Sequence, residues 1–217
     1  MNFVSYRDGG YLPHLEDEGS TYFVTFRLAG TLPKRVVEEF EHERRVVSEI
    51  ARKQNRELTE QEQARLKYLE STKIQQYLDK GTGDCWLREP SVAGMVKESI
   101  QHFDGSRYES HALCIMPNHV HWLLTPLETA IPAGDFPLTS IMHTVKSYTS
   151  HQANKLLRKE GVFWSREYYD HLIRSSEQFG RLLIYILDNP VKAGLCRSWD
   201  EWPWTTCSKK IQAAFTA

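Results

Sequence analysis

The first strong apolar pattern is TYFVTFRLAG, residues 21–30, rich in aromatic and β-branched side chains and closed by Gly30. It predicts a strand from about Thr21 to Leu28. From Leu32 to Gly81 the period lengthens to helical spacing, as in Val46, Val47 and Ile50, with Thr59 and Glu62 as a capping box between two segments. This predicts a helical hairpin inserted at about 34–80. SVAGMVKESIQHF reads as a short helix, and ESHALCIMPNHVHWLLTPL as one or two strands interrupted near Met116-Pro117, where a bulge is expected. A loop at 128–137, a helix over LTSIMHTVKSYTSHQANKLL and a short aromatic strand within GVFWSREYYDHLI follow. The last helix starts at Ser175, packs Phe179, Leu182, Leu183 and Ile186, and is expected to stop through Pro190 and Gly194. This order predicts an α+β fold, with helices packed on an antiparallel sheet in one domain over residues 1–217.

Composition narrows the class. With 217 residues, 41% of them hydrophobic and 25% charged, the chain has room for one real core. The net charge of -1 is unevenly distributed: residues 142–197 carry nine Lys/Arg against five Asp/Glu, residues 84–141 three against seven. Cys85, Cys114, Cys196 and Cys207 show no CxxC spacing, so neither a cysteine metal site nor a disulfide framework is expected. Without a secretion signal or a long apolar run, the expected location is the cytoplasm.

Chemistry concentrates in IMPNHVHWLL. His119 and His121 are two apart in an extended segment, so they share one face. Two imidazoles there can hold a metal, join a polar network or lie at a surface, and HxH lacks the helical spacing and glutamate of a zinc peptidase. Tyr185 and Asn189 are four apart on the last helix, with Arg181 one turn away. They offer a phenol, an amide oxygen and a cation.

MPNHVHWLL, with FWSREYYDHLIRS, YILDNPVKAGL and WPWTT after it, resembles the REP-associated tyrosine transposases, of the HUH single-tyrosine (IS200-like) transposase superfamily. The resemblance covers the first strand and most of His111 to about Thr206. It implies a ferredoxin-like core acting on single-stranded DNA beside hairpins or short palindromes, through Mg²⁺ or Mn²⁺. It further implies His119, His121 and Asn189 as metal ligands and Tyr185 as a nucleophile that forms a 5′ phosphotyrosine. Asn189 stands where related transposases carry glutamine, and related enzymes include both monomers and homodimers. No Asp or Glu accompanies the motif, so little is expected of a protein general base.

The basic C-terminal part fits such a substrate. Lys146, Arg166, Arg174 and Arg181 are interleaved with Trp164 and Tyr168, types that pair with phosphate and stack on bases. The competing reading is a noncatalytic DNA or RNA hairpin binder; a hydrolase using water without a covalent intermediate is another. Tyr148, near Lys146, is the rejected second nucleophile. Tyr185→Phe is expected to abolish cleavage of labelled hairpin DNA, and Tyr148→Phe to leave it within a modest factor; a cutting Tyr185→Phe protein would favour hydrolysis by water.

Overall fold

The computed structural model describes residues 5–8, 13–16, 19–56, 58–59, 61–62, 65–66, 74–127 and 137–215. A small antiparallel pair, β1 (Ser5–Asp8) and β2 (Pro13–Glu16), precedes the main sheet; no strand was anticipated there. The sheet takes β3 (Tyr22–Leu28), β4 (Tyr108–Ile115), β5 (His119–Pro126), β6 (Trp164–Leu172) and β7 (Thr205–Cys207). Their order is β6-β3-β5-β4-β7, and every neighbouring pair is antiparallel. Among the described residues, the helices that accompany them include α1 (Lys34–Lys53), α2 (Gln75–Asp79), α3 (Pro90–Gln101), α4 (Pro137–Leu157), α5 (Ser176–Lys192) and α6 (Lys209–Phe215). The α+β, ferredoxin-like expectation therefore holds.

Strand alternation divides the core in two. Val24, Phe26, Val120 and Trp122 meet Val92, Val96 and Ile100 of α3 and Leu138, Ile141 and Met142 of α4. Phe23, Cys114 and Leu123 turn the other way, onto Leu183, Ile186 and Leu187 of α5. Helix α5 thus packs on the face that His119 and His121 share.

Three local expectations are corrected. The chain does not bulge at Met116-Pro117 but reverses: Met116 N–H donates to His119 O at 2.8 Å, and Pro117 occupies the turn, where its missing N–H is harmless. Helix α5 does not stop at Pro190, which lies inside it. Proline's fixed φ suits a helix, and only one N–H is forgone near the end. The stop comes at Gly194, with φ 69°, where Leu195 N–H reaches Pro190 O and Gly194 N–H reaches Val191 O. The strand within 161–173 is nine residues long rather than short, because β3 pairs along it.

The insertion begins with the 20-residue α1, and Thr59 and Glu62 form the expected reciprocal cap, Thr59 N–H to Glu62 Oε2 at 2.8 Å and Glu62 N–H to Thr59 Oγ1 at 3.3 Å. Residues 67–73 of the expected hairpin and 128–136 of the expected loop lie outside the described residues. Among the described residues, no helix is long and apolar enough to cross a membrane.

Trp122 is fully buried, edge-on to Tyr108 at 4.8 Å, with its indole N–H on Ser110 Oγ at 2.9 Å. Trp122→Ala is expected to lower unfolding free energy by about 3–5 kcal/mol in urea titrations; a loss under about 1 kcal/mol would contradict this packing.

Candidate functional site

The site begins with the sheet register. Thr25 of β3 stands opposite His121 of β5, and its Oγ1 lies 2.8 Å from His121 Nδ1. Asn118, in the turn, places Oδ1 2.7 Å from His119 Nδ1, and its Nδ2 donates to Thr82 O at 3.0 Å. That second bond fixes the amide orientation, so His119 Nδ1 carries the proton and Nε2 keeps its lone pair. The two Nε2 atoms face each other at 3.0 Å, and both rings are fully buried.

Burial disfavours the imidazolium, pushing His119 down to about 3 and His121 well below its usual range, the latter also through its neighbour His119. Both rings are therefore neutral near pH 7. Two neutral nitrogens this close need a proton or a cation between them. In the first case His121 Nε2–H donates to His119 and Thr25 O–H donates to His121 Nδ1. In the second, His121 moves its proton to Nδ1 and the same hydroxyl accepts it. Thr25 serves either tautomer, so the donor set fits a divalent ion.

Helix α5 brings Tyr185 Oη to 3.4 Å from His121 Nε2, with the two rings edge-on at 5.1 Å and Phe23 edge-on behind the phenol at 5.9 Å. Burial and the charge of Asp79 raise the phenol's pKa above its usual value, while a hydrogen bond from the buried Asn189 side chain lowers it. The phenol is thus protonated and aimed inward.

An acidic partner does stand beside the motif, against the sequence expectation. Asp79, at the end of α2, forms with His119 and His121 a group whose ligand atoms all lie within 4.8 Å of one another. Gln75, one turn earlier, donates to Asp79 Oδ1 at 2.6 Å and has the same Nε2 3.3 Å from His121 Nε2. Loss of solvent on the inner side raises the Asp79 carboxyl, opposed by the Gln75 hydrogen bond and the charge of Lys192. Asp79 was missed because it lies 40 positions before His119 in a segment read only as helix. Asn118, adjacent to the histidine, was the more legible omission.

The other sequence-derived residues disperse. Arg181 pairs with Glu177 at 2.7 Å on the exposed side of α5, and Arg174 N–H donates to Gln178 Oε1 at 2.9 Å as that helix begins. Lys146, Trp164, Arg166 and Tyr168 instead line a cavity between α4 and β6. Tyr148 is 53% exposed on α4, away from the histidine face.

A family model described as IS200-like transposase matches residues 88–189, which include His119, His121, Tyr185 and Asn189 and leave out Gln75 and Asp79. Two proteins named as REP-associated tyrosine transposases are similar in sequence. One, from Haemophilus influenzae Rd, is 27% identical over 121 residues, 54% of this chain and 67% of that protein. The other, from Escherichia coli K12, is 26% identical over 104 residues, 48% of this chain and 57% of that protein, so the match spans little more than half of it. A solved REP-associated tyrosine transposase bound to a REP hairpin shares the fold at TM-score 0.50 and 18% identity, covering 98% of this chain and 86% of its own.

The depressed histidines set a pH dependence. The unfolded chain binds protons below about 6.5 that the folded rings refuse, so stability is complete above that value and falls as pH drops toward 3. Calorimetric melting temperatures should therefore decline between pH 6.5 and 4 more steeply for the wild type than for His119→Gln; parallel slopes would show that His119 is not the titrating group.

Proposed function

We propose that the chain, matched over residues 88–189 by the IS200-like transposase family model and similar to two REP-associated tyrosine transposases, is a transposase of this kind that cuts and rejoins single-stranded DNA at hairpin-associated sites. The observation that carries this reading is the inward Tyr185 hydroxyl, 3.4 Å from a neutral, buried imidazole that is one of a pair. His119 and His121 would hold Mg²⁺ or Mn²⁺. Asp79 is the oxygen donor the geometry adds, and Asn189 the one the resemblance implies. Bound there, the ion supplies positive charge that polarises the scissile phosphate and favours the phenolate.

The chain's own groups set the rest. Phe23, His121 and the Asn189 amide hold the phenol in one orientation, so its oxygen is presented to the phosphate without a search over rotamers. Tyr185 Oη forms a bond to phosphorus as the P–O3′ bond breaks. The 5′ side stays on the tyrosine, the phenol gives up its proton as it attacks, and the leaving 3′ oxygen takes one up, so the exchange is proton-neutral. Attack by another 3′ hydroxyl on that phosphotyrosine reverses the exchange and joins strands without ATP, because the phosphodiester bond energy is retained. On this reading we propose the cytoplasm as the site of the activity.

Incubation with labelled single-stranded hairpin DNA and Mg²⁺ or Mn²⁺ should give an SDS-resistant adduct that EDTA abolishes. Asp79→Ala should lower its yield by about tenfold or more. Tight binding with no adduct across many flanking sequences would make the protein a hairpin binder instead.

A further inference from the structure

Four of the six side chains that the sequence offered for DNA contact converge, and they do so away from the catalytic residues. Lys146, Trp164, Arg166 and Tyr168 line one cavity of about 360 Å³ between α4 and β6, a volume in the range of small-molecule sites. It lies on the α4 face of the sheet, whereas His119, His121 and Tyr185 occupy the α5 face. Its floor is apolar, formed by the buried Met142 and Trp164, and the Trp164 indole is pinned by donation to Thr149 Oγ1 at 2.8 Å.

A bulge in β6 lies along the cavity's lining. Phe26 pairs with Tyr168 and Leu28 with Trp164, so residues 165–167 of β6 stand opposite Arg27 alone. Strand β6 is also the edge of the five-stranded sheet among the described residues, hydrogen-bonded to β3. The Arg166 carbonyl accepts from Lys146 Nζ at 2.7 Å, which holds the ammonium in the cavity, 5.6 Å over the Tyr168 ring. Arg166 sends its side chain outward, 77% exposed, with the Glu167 carboxylate 3.9 Å from its Nε. Burial pushes Lys146 down to about 8, with Glu167 opposing, so the ammonium is partly stripped of water where a phosphate would restabilise it.

We propose that this cavity binds one unpaired nucleotide of the DNA strand, its base on the floor of Met142 and Trp164 beside Tyr168, its phosphate between Lys146 and Arg166. The occupant is unpaired because a concave aromatic wall accepts a base only once it has left its stack. Its anionic character follows from Lys146 and Arg166, the two cations that line the cavity, with the Glu167 carboxylate beside them. The inference rests on the DNA reading above and deepens it: the strand is gripped on one sheet face and cut on the other, so this grip sets affinity and register, not chemistry.

The test uses the full chain and a fluorescent DNA hairpin carrying a random single-stranded flank, with binding read by anisotropy. Ser147→Trp, which fills the mouth from an exposed helix position, and Arg166→Gln should each weaken binding by about tenfold, the loss of one stacked base or phosphate contact, with circular dichroism unchanged. In the tightest sequence recovered from the pool, one abasic position should weaken the wild type by the same factor and weaken Ser147→Trp no further. Affinities within about twofold of wild type for both variants, or additive losses at every abasic position, would overturn the proposal. If the wild type binds without forming an adduct, the cutting chemistry fails while the cavity is still judged by these affinities. If it binds no oligonucleotide, both fall.

Discussion

Two neutral imidazoles buried 3.0 Å apart, one with its proton fixed on the far nitrogen, are the constraint around which this molecule is arranged. Left to themselves they need a proton between them, and near pH 7 their burial leaves little tendency to take an additional one. A cation would resolve the same contact and keep most of its charge for a ligand, since neutral imidazoles do not neutralise it. Asp79 qualifies that picture by adding one negative charge at the rim.

The ferredoxin-like sheet makes this arrangement reachable from distant parts of the chain. The β4–β5 turn places Asn118 behind one histidine, and the β3–β5 register places Thr25 behind the other. Helix α5, whose Leu183, Ile186 and Leu187 pack on that same face, holds Tyr185 at its edge. The insertion closes the ring with Gln75 and Asp79. Second-sphere partners of this kind determine which nitrogen carries a proton, and therefore what the first sphere can bind.

How much of this was legible follows from which contacts are local. Strand β3, helices α1, α3, α4 and α5, and the shared face of His119 and His121 follow from periodicity within short windows, and the structure keeps them. Pro117 and Pro190 misled for one reason: proline forbids a donor but does not say whether the chain turns, bulges or carries on, and only tertiary pairing decides. Thr25 and Asp79 were out of reach because their roles depend on register and on the path of an insertion, neither of which any local pattern encodes. The basic and aromatic residues of 142–197 showed only as interleaved along the chain; the packing of α4 beside β6 gathers four of them into a cavity.

The central claim is that His119 and His121 ligate a divalent ion beside Tyr185. Pulsed electron paramagnetic resonance of the protein loaded with one equivalent of Mn²⁺ tests it without DNA, since directly bound imidazole nitrogens give a resolved ¹⁴N modulation. Two coupled nitrogens are predicted, one of them lost in His121→Ala. A spectrum with no nitrogen coupling, from an ion bound only to water and carboxylates, would contradict the account.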